Sequence, residues 1–135
     1  MYLLDTNIVS ELRKLKPHGA VLAWFKDVPV AQLFLSAVTI GELQAGIEKT
    51  KRQNVSKALE IEAWLESLPD LFHILSMDVD CFRELARLMD GKSSDLLEDA
   101  MIAATAKVHR LTVVTRNTKD FRHFGIETLN PFLKQ

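Results

Sequence analysis

A single cysteine, Cys81, is the chain's whole supply of thiol chemistry. No disulfide can form within the chain, which suits a reducing compartment. Cys81 falls in a stretch that reads as helical, residues 80–89, where a lone thiol behaves as a small buried side chain rather than a nucleophile. Four Pro and five Gly in 135 residues are too few for a fibrous or disordered chain. A strong charge of one sign is missing as well. With a formal net charge of -1, there is no overall basic excess for nucleic acid, and any polyanion must be met by local charge or bound cations. No apolar run approaches the ~20 residues that span a bilayer. The opening MYLLDTN lacks the charged start and long apolar segment of a signal peptide. A protein of the cytoplasm with no membrane segment is therefore expected. What is present is a hydrophobic content of 47%, enough for a real core, and a length that predicts one domain over residues 1–135.

Strands are predicted over residues 2–4, 32–36, 72–75, 111–115 and 126–129, the last at an edge. Helices are predicted over residues 8–15, 20–26, 39–50, 54–68, 80–89 and 97–109. The strands are apolar runs such as QLFLS and LTVVT rather than strict alternations, as expected when both faces of a sheet are covered. Strands alternating with helices predict an α/β fold, a central parallel sheet flanked by helices on both faces. In such sheets ligands sit beyond the carboxyl ends of the strands.

That rule draws attention to four acids. Asp5 directly follows the first strand, Glu42 opens the helix after QLFLS, and Asp120 comes shortly after LTVVT. Asp99 shares a helix face with Ile102, Ala103 and Ala106, where an ionised carboxylate is costly unless paired or bound to a metal. Gathered at one edge, these acids repel one another unless a divalent cation lies among them. Oxygen-only ligands favour Mg²⁺, or Mn²⁺, over Zn²⁺. Structural roles stand beside the functional ones. Asp5, Thr6 or Asn7 can cap the first helix. Thr39-Ile-Gly-Glu42 fits a capping box. Asp99 can interact with a helix dipole, and Asp120 can serve as a cap or turn residue. Glu98 points about a quarter turn away from Asp99 and reads as a solvated side chain.

Four motifs occur in order: LLDTNIVSEL, LSAVTIGELQAGIEK, DAMIAATAKVHRLTVVTRNTKDF and a closing NPF. Together they resemble the PIN-domain family, specifically the VapC/FitB ribonuclease toxins of toxin–antitoxin pairs, over nearly the full length. The resemblance implies a PIN-like fold and metal-assisted hydrolysis of RNA phosphodiesters. Asp5 and Asp99 would hold the principal Mg²⁺. Glu42 and Asp120 would hold a second ion or position the attacking water, with Asn117 the alternative to Asp120. Thr6, Asn7, Ser10 and Thr115 would support the site or orient substrate. Arg116 and Lys119, beside Asp120, are candidates to meet RNA phosphates. The group further implies a homodimer and a cognate VapB/FitA-like antitoxin that blocks the acidic pocket and carries the contacts to operator DNA.

Other features have plainer readings. Lys49, Lys51, Arg52 and Lys57 fit a solvated helical face as well as an RNA contact. Phe121 and Phe124 fit the core better than base stacking. His109 suits a helix end, and His18, His73 and His123 have no metal-like spacing. Two rival functions remain. One is a catalytically silent PIN-like regulatory subunit, against which all four acids speak. The other is a receiver-type phosphoacceptor, which needs an acidic pair where this chain has DTN.

Overall fold

The computed structural model describes residues 1–133; Lys134 and Gln135, which the one-domain expectation included, lie outside the described residues. The elements run β1 (Tyr2–Leu4), α1 (Thr6–Arg13), α2 (Gly19–Asp27), β2 (Leu33–Ser36), α3 (Ala37–Lys51), α4 (Val55–Leu71), β3 (His73–Leu75), α5 (Val79–Met89), α6 (Leu97–His109), β4 (Thr112–Val114), α7 (Thr118–Phe121) and β5 (Thr128–Leu129). The strands form one sheet in the order β3-β2-β1-β4-β5, and every neighbouring pair is parallel.

The apolar runs follow from burial on both faces. Successive strand residues point to opposite sides. Accordingly Leu4 and Val114 join Leu33 and Leu35 in one core, while Leu3 and Val113 enter the other. The first core is closed by Ile8 and Val9 of α1, Val21 of α2, Ile47 of α3, and Leu65 and Leu68 of α4. The second is closed by Leu88 of α5, the alanine-rich face of α6, and Phe121 and Phe124. Burying each such large side chain is worth roughly 1.5–3 kcal/mol. The two phenylalanines are thus structural. Cys81 is fully buried, and burial pushes its thiol up, consistent with an inert packing residue. Among the described residues, no helix is long and apolar enough to cross a membrane.

Three local details differ from expectation. Helix α3 begins at Ala37, with Ser36 as its N-cap accepting from the Val38 N–H at 3.1 Å. Thr39 and Glu42 therefore lie inside the helix, and the capping-box reading fails. Helix α4 continues through Pro69 to Leu71. A proline this near the end costs one ladder bond, and the Phe72 N–H still reaches the Leu68 carbonyl at 2.9 Å. Residues Thr118–Phe121 form a short helix, so Asp120 is neither cap nor loop. At the end of α6, Arg110 adopts a left-handed conformation (φ 57°). The Leu111 N–H can then bond the Ala106 carbonyl at 2.8 Å, and the chain turns directly into β4.

Candidate active site

The chain lays down β1, β2 and β3 outward, then returns to the far side of β1 with β4 and β5. The build-up reverses between β1 and β4, and a crevice opens beyond the carboxyl ends of such a pair. Asp5 and Thr115 are the residues that emerge there. The Asp5 N–H is still held by the Val114 carbonyl at 2.9 Å, so its side chain is delivered to the crevice by the last rung of the sheet.

Asp5 is only 7% exposed and nearly fully hydrogen-bonded. Its Oδ1 accepts from the Thr6 N–H at 2.8 Å, while Oδ2 accepts from the Thr115 hydroxyl at 2.8 Å and the Asn7 amide at 3.1 Å. The cap and functional readings of this residue are therefore compatible: it caps α1 with one oxygen and faces Thr115 with the other. Burial pushes its carboxyl up; the bonds from Thr115, Thr6 and Asn7 pull it back, and the charge of Asp120 adds to the rise. Thr115 is itself fully buried and accepts from the Asn117 N–H at 3.0 Å. Asn7 turns its other amide atom to the Arg116 N–H at 3.2 Å. The stretch after β4 is thus fastened to the stretch after β1 by the side chains of Asp5, Asn7 and Thr115.

A second string of contacts brings α3 to the same place. The Thr6 hydroxyl donates to Glu42 Oε1 at 3.0 Å and lies 3.1 Å from the hydroxyl of buried Thr39. Burial pushes Glu42 up to about 7, against the Thr6 bond that lowers it; the charges of Glu98 and Asp5 push further. Asp99, in the first turn of α6, is pushed up to about 6 by burial first and then by Asp5, Asp120 and Glu98. All four predicted acids are therefore electrostatic neighbours, and Asp120, not the neutral Asn117, is the group whose charge reaches Asp5 and Asp99.

Glu98 is exposed, as the solvated reading expects, yet its charge still adds to the rise of both Glu42 and Asp99. Thr39 was missed as a site neighbour because the capping box explained it away. Ser10 joins this network through no hydrogen bond among the described residues. Lys119 is exposed on α7, and the Arg116 guanidinium lies 4.5 Å from the centre of the Phe132 ring. Lys57, in the middle basic cluster, lies 3.6 Å from Glu60.

The donor set fits a hard divalent cation. It consists of carboxylate and hydroxyl oxygens, and the charges acting on Asp5, Glu42 and Asp99 are all negative. Removing their mutual repulsion is what a cation would do. Among the described residues no three acidic, His or Cys side chains already converge on one point, so the acids are electrostatic neighbours rather than a preformed cage. Thr115→Val removes the hydroxyl that orients Asp5 Oδ2 while keeping the volume. It is expected to weaken Mg²⁺ binding about 10- to 100-fold, read by calorimetric titration; unchanged affinity would mean Thr115 serves the fold alone.

A parallel sheet flanked by helices, with Asp5 and Thr115 at its switch point, defines an α/β class, and comparison with known proteins narrows it. The PIN domain family matches residues 2–127, and the chain belongs to that family. The VapC ribonuclease Y4jK of Sinorhizobium fredii is 37% identical, over 98% of each chain. The toxin FitB of Neisseria gonorrhoeae is 34% identical, over 98% of this chain and 99% of its own. Among solved structures, a FitAB complex bound to an IR36 DNA fragment contains a chain superposing with a TM-score of 0.85 at 32% identity, over 100% of this chain and 98% of that one.

Proposed function

We propose that this protein is the toxin of a toxin–antitoxin pair and a Mg²⁺-dependent endoribonuclease acting in the cytoplasm. The observation that carries the reading is the cluster of mutually repelling acids beyond β1 and β4, with Glu42 and Asp99 pushed up to about 7 and about 6. Kinship with a VapC ribonuclease and the FitB toxin supports RNA as the substrate.

Asp5 and Asp99 would hold the principal ion, and Glu42 and Asp120 would complete the site. Once bound, Mg²⁺ supplies charge neutralisation at the phosphodiester and acidifies water. The chain's own residues do the rest. Thr6, Asn7 and Thr115 hold the Asp5 carboxylate in one orientation. Glu42, held by the Thr6 hydroxyl at 3.0 Å, would bind a second ion or position the attacking water. As water attacks phosphorus, the bond to the leaving nucleoside oxygen breaks. Arg116 and Lys119, exposed and close in sequence to Asp120, would meet the flanking phosphates.

The FitAB–DNA complex suggests the partner: an antitoxin of the FitA/VapB kind, which would cover the acidic cleft and carry the operator contacts, with the toxin as a homodimer. The test is direct. Purified protein is expected to cleave RNA with Mg²⁺ or Mn²⁺, to lose all cleavage in EDTA, and to recover when Mg²⁺ is returned. RNA left whole under every metal condition would favour the silent regulatory subunit instead.

A further inference from the structure

The closing segment Asn130-Pro131-Phe132 has no part in the chemistry above, yet it is fastened to the loop that follows β4. The Asn130 amide donates to the Arg116 carbonyl at 3.4 Å. Its Oδ1 accepts from the Phe132 N–H at 2.9 Å, a tight turn that leaves the ring packed against the core that contains Ile8 and Val21. The Phe132 ring then lies between two cationic or aromatic partners. The Arg116 guanidinium is 4.5 Å from its centre, and the His18 ring is 5.1 Å away, tilted by 57°. His18 is anchored in turn: its N–H donates to Glu11 Oε2 at 2.9 Å, and its Nδ1 accepts from the Ala20 N–H at 3.2 Å.

Arg116 is therefore restrained at three points. Asn7 holds its N–H, Asn130 its carbonyl, and Phe132 its side chain. This is unusual for an exposed arginine with no ion pair among the described residues. A guanidinium stacked on a ring keeps its N–H edges free for phosphate oxygens. It has also already given up the rotamer freedom that a free arginine loses on binding.

We propose that Asn130 and Phe132 are positioning residues for substrate binding, holding the Arg116 guanidinium at the rim of the acidic cleft for the phosphate beside the scissile bond. The inference rests on the ribonuclease reading and adds a role for the closing motif. Cation–π stacking and rotamer restriction together correspond to about a 5- to 10-fold effect on binding.

The experiment compares kcat and KM for RNA cleavage in Mg²⁺ across wild type, Phe132→Leu, Phe132→Trp, Arg116→Ala and the double variant Arg116→Ala/Phe132→Leu. Phe132→Leu is expected to raise KM about 5- to 10-fold with kcat held within about twofold. Phe132→Trp, which keeps the cation–π face, is expected to restore the wild-type KM. In the Arg116→Ala background, Phe132→Leu is expected to add nothing, because the group it positions is gone. An unchanged KM in Phe132→Leu would overturn the proposal, as would a full Phe132→Leu effect in the absence of Arg116, which would mark Phe132 as general packing. Asp5→Asn serves as the control for the underlying reading. If wild type cleaves, Asp5→Asn does not, and the Phe132 variants match wild type, only the positioning role falls. If wild type cleaves no RNA, both fall.

Discussion

Asp5→Asn is expected to lower RNA cleavage by on the order of 10³-fold or more, equivalent to about 4 kcal/mol of transition-state stabilisation. The expectation follows from the position of Asp5. It directly follows the central strand β1 at the switch point, and three donors already orient its two oxygens. Asparagine keeps an oxygen for the Thr6 N–H, so the α1 cap persists, but it removes the charge a cation needs. Stability is expected to change by less than about 1 kcal/mol, whereas Asp5→Ala also loses the cap and about 1 kcal/mol more. Steady-state cleavage and thermal denaturation of the three proteins separate the two roles. Near-wild-type cleavage by a folded Asp5→Asn protein would remove Asp5 from the chemistry.

The second large effect concerns stability and has an unusual sign. In the metal-free protein, Glu42 rises from 4.5 to about 7 and Asp99 from 3.8 to about 6. A carboxyl with a higher pKa in the folded than in the unfolded state binds its proton more readily when folded. Stability of the metal-free protein therefore falls as pH rises from about 4 to about 7, and the loss is complete above that window. Glu42→Gln removes the charge at nearly constant shape. In EDTA at pH 8 it is expected to stabilise the protein by about 1–2 kcal/mol, allowing for solvent screening of a partly exposed group. Asp99→Asn is expected to act in the same direction by a smaller amount.

Mg²⁺ reverses the ranking. A ligand at 100 times its dissociation constant stabilises by about 2.7 kcal/mol, and the wild type would gain this while Asp99→Asn would not. Thermal melts at pH 6 and pH 8, in EDTA and in Mg²⁺, test the whole pattern. If both variants melt below wild type in EDTA at pH 8, the acids are held by packing and hydrogen bonding more than they are strained by charge. Such a site trades folding stability for a cleft that a divalent ion then completes.

Much of this molecule was legible before its fold was known, for identifiable reasons. The strands could be read because burial on both faces leaves them as unbroken apolar runs such as LFLS and TVV. Helix α6 could be read because Ala100, Ala103, Ala104 and Ala106 pack without bulk. Asp99 stood out because a charge on that face demands a reason. Glu42 was harder. Its local sequence fits a capping box, and only the start of α3 at Ala37, set by the Ser36 cap, dismisses that explanation. The short helix α7 escaped because four residues carry too little periodicity to register.

The amino-acid order alone thus determined the alternation of strands and helices, the identity of the four acids and the motifs of the family. These depend on patterns within a turn of helix or a few strand residues. Tertiary structure decided which acids are neighbours, that the charge of Glu98 reaches them, and that the closing NPF grips Arg116. Those facts depend on pairs far apart in the chain, such as Thr6 with Glu42, 36 residues away, and Asp5 with Thr115, 110 residues away. Separations of that kind are settled by strand order and by the angle at which helices dock, and no local pattern encodes either one.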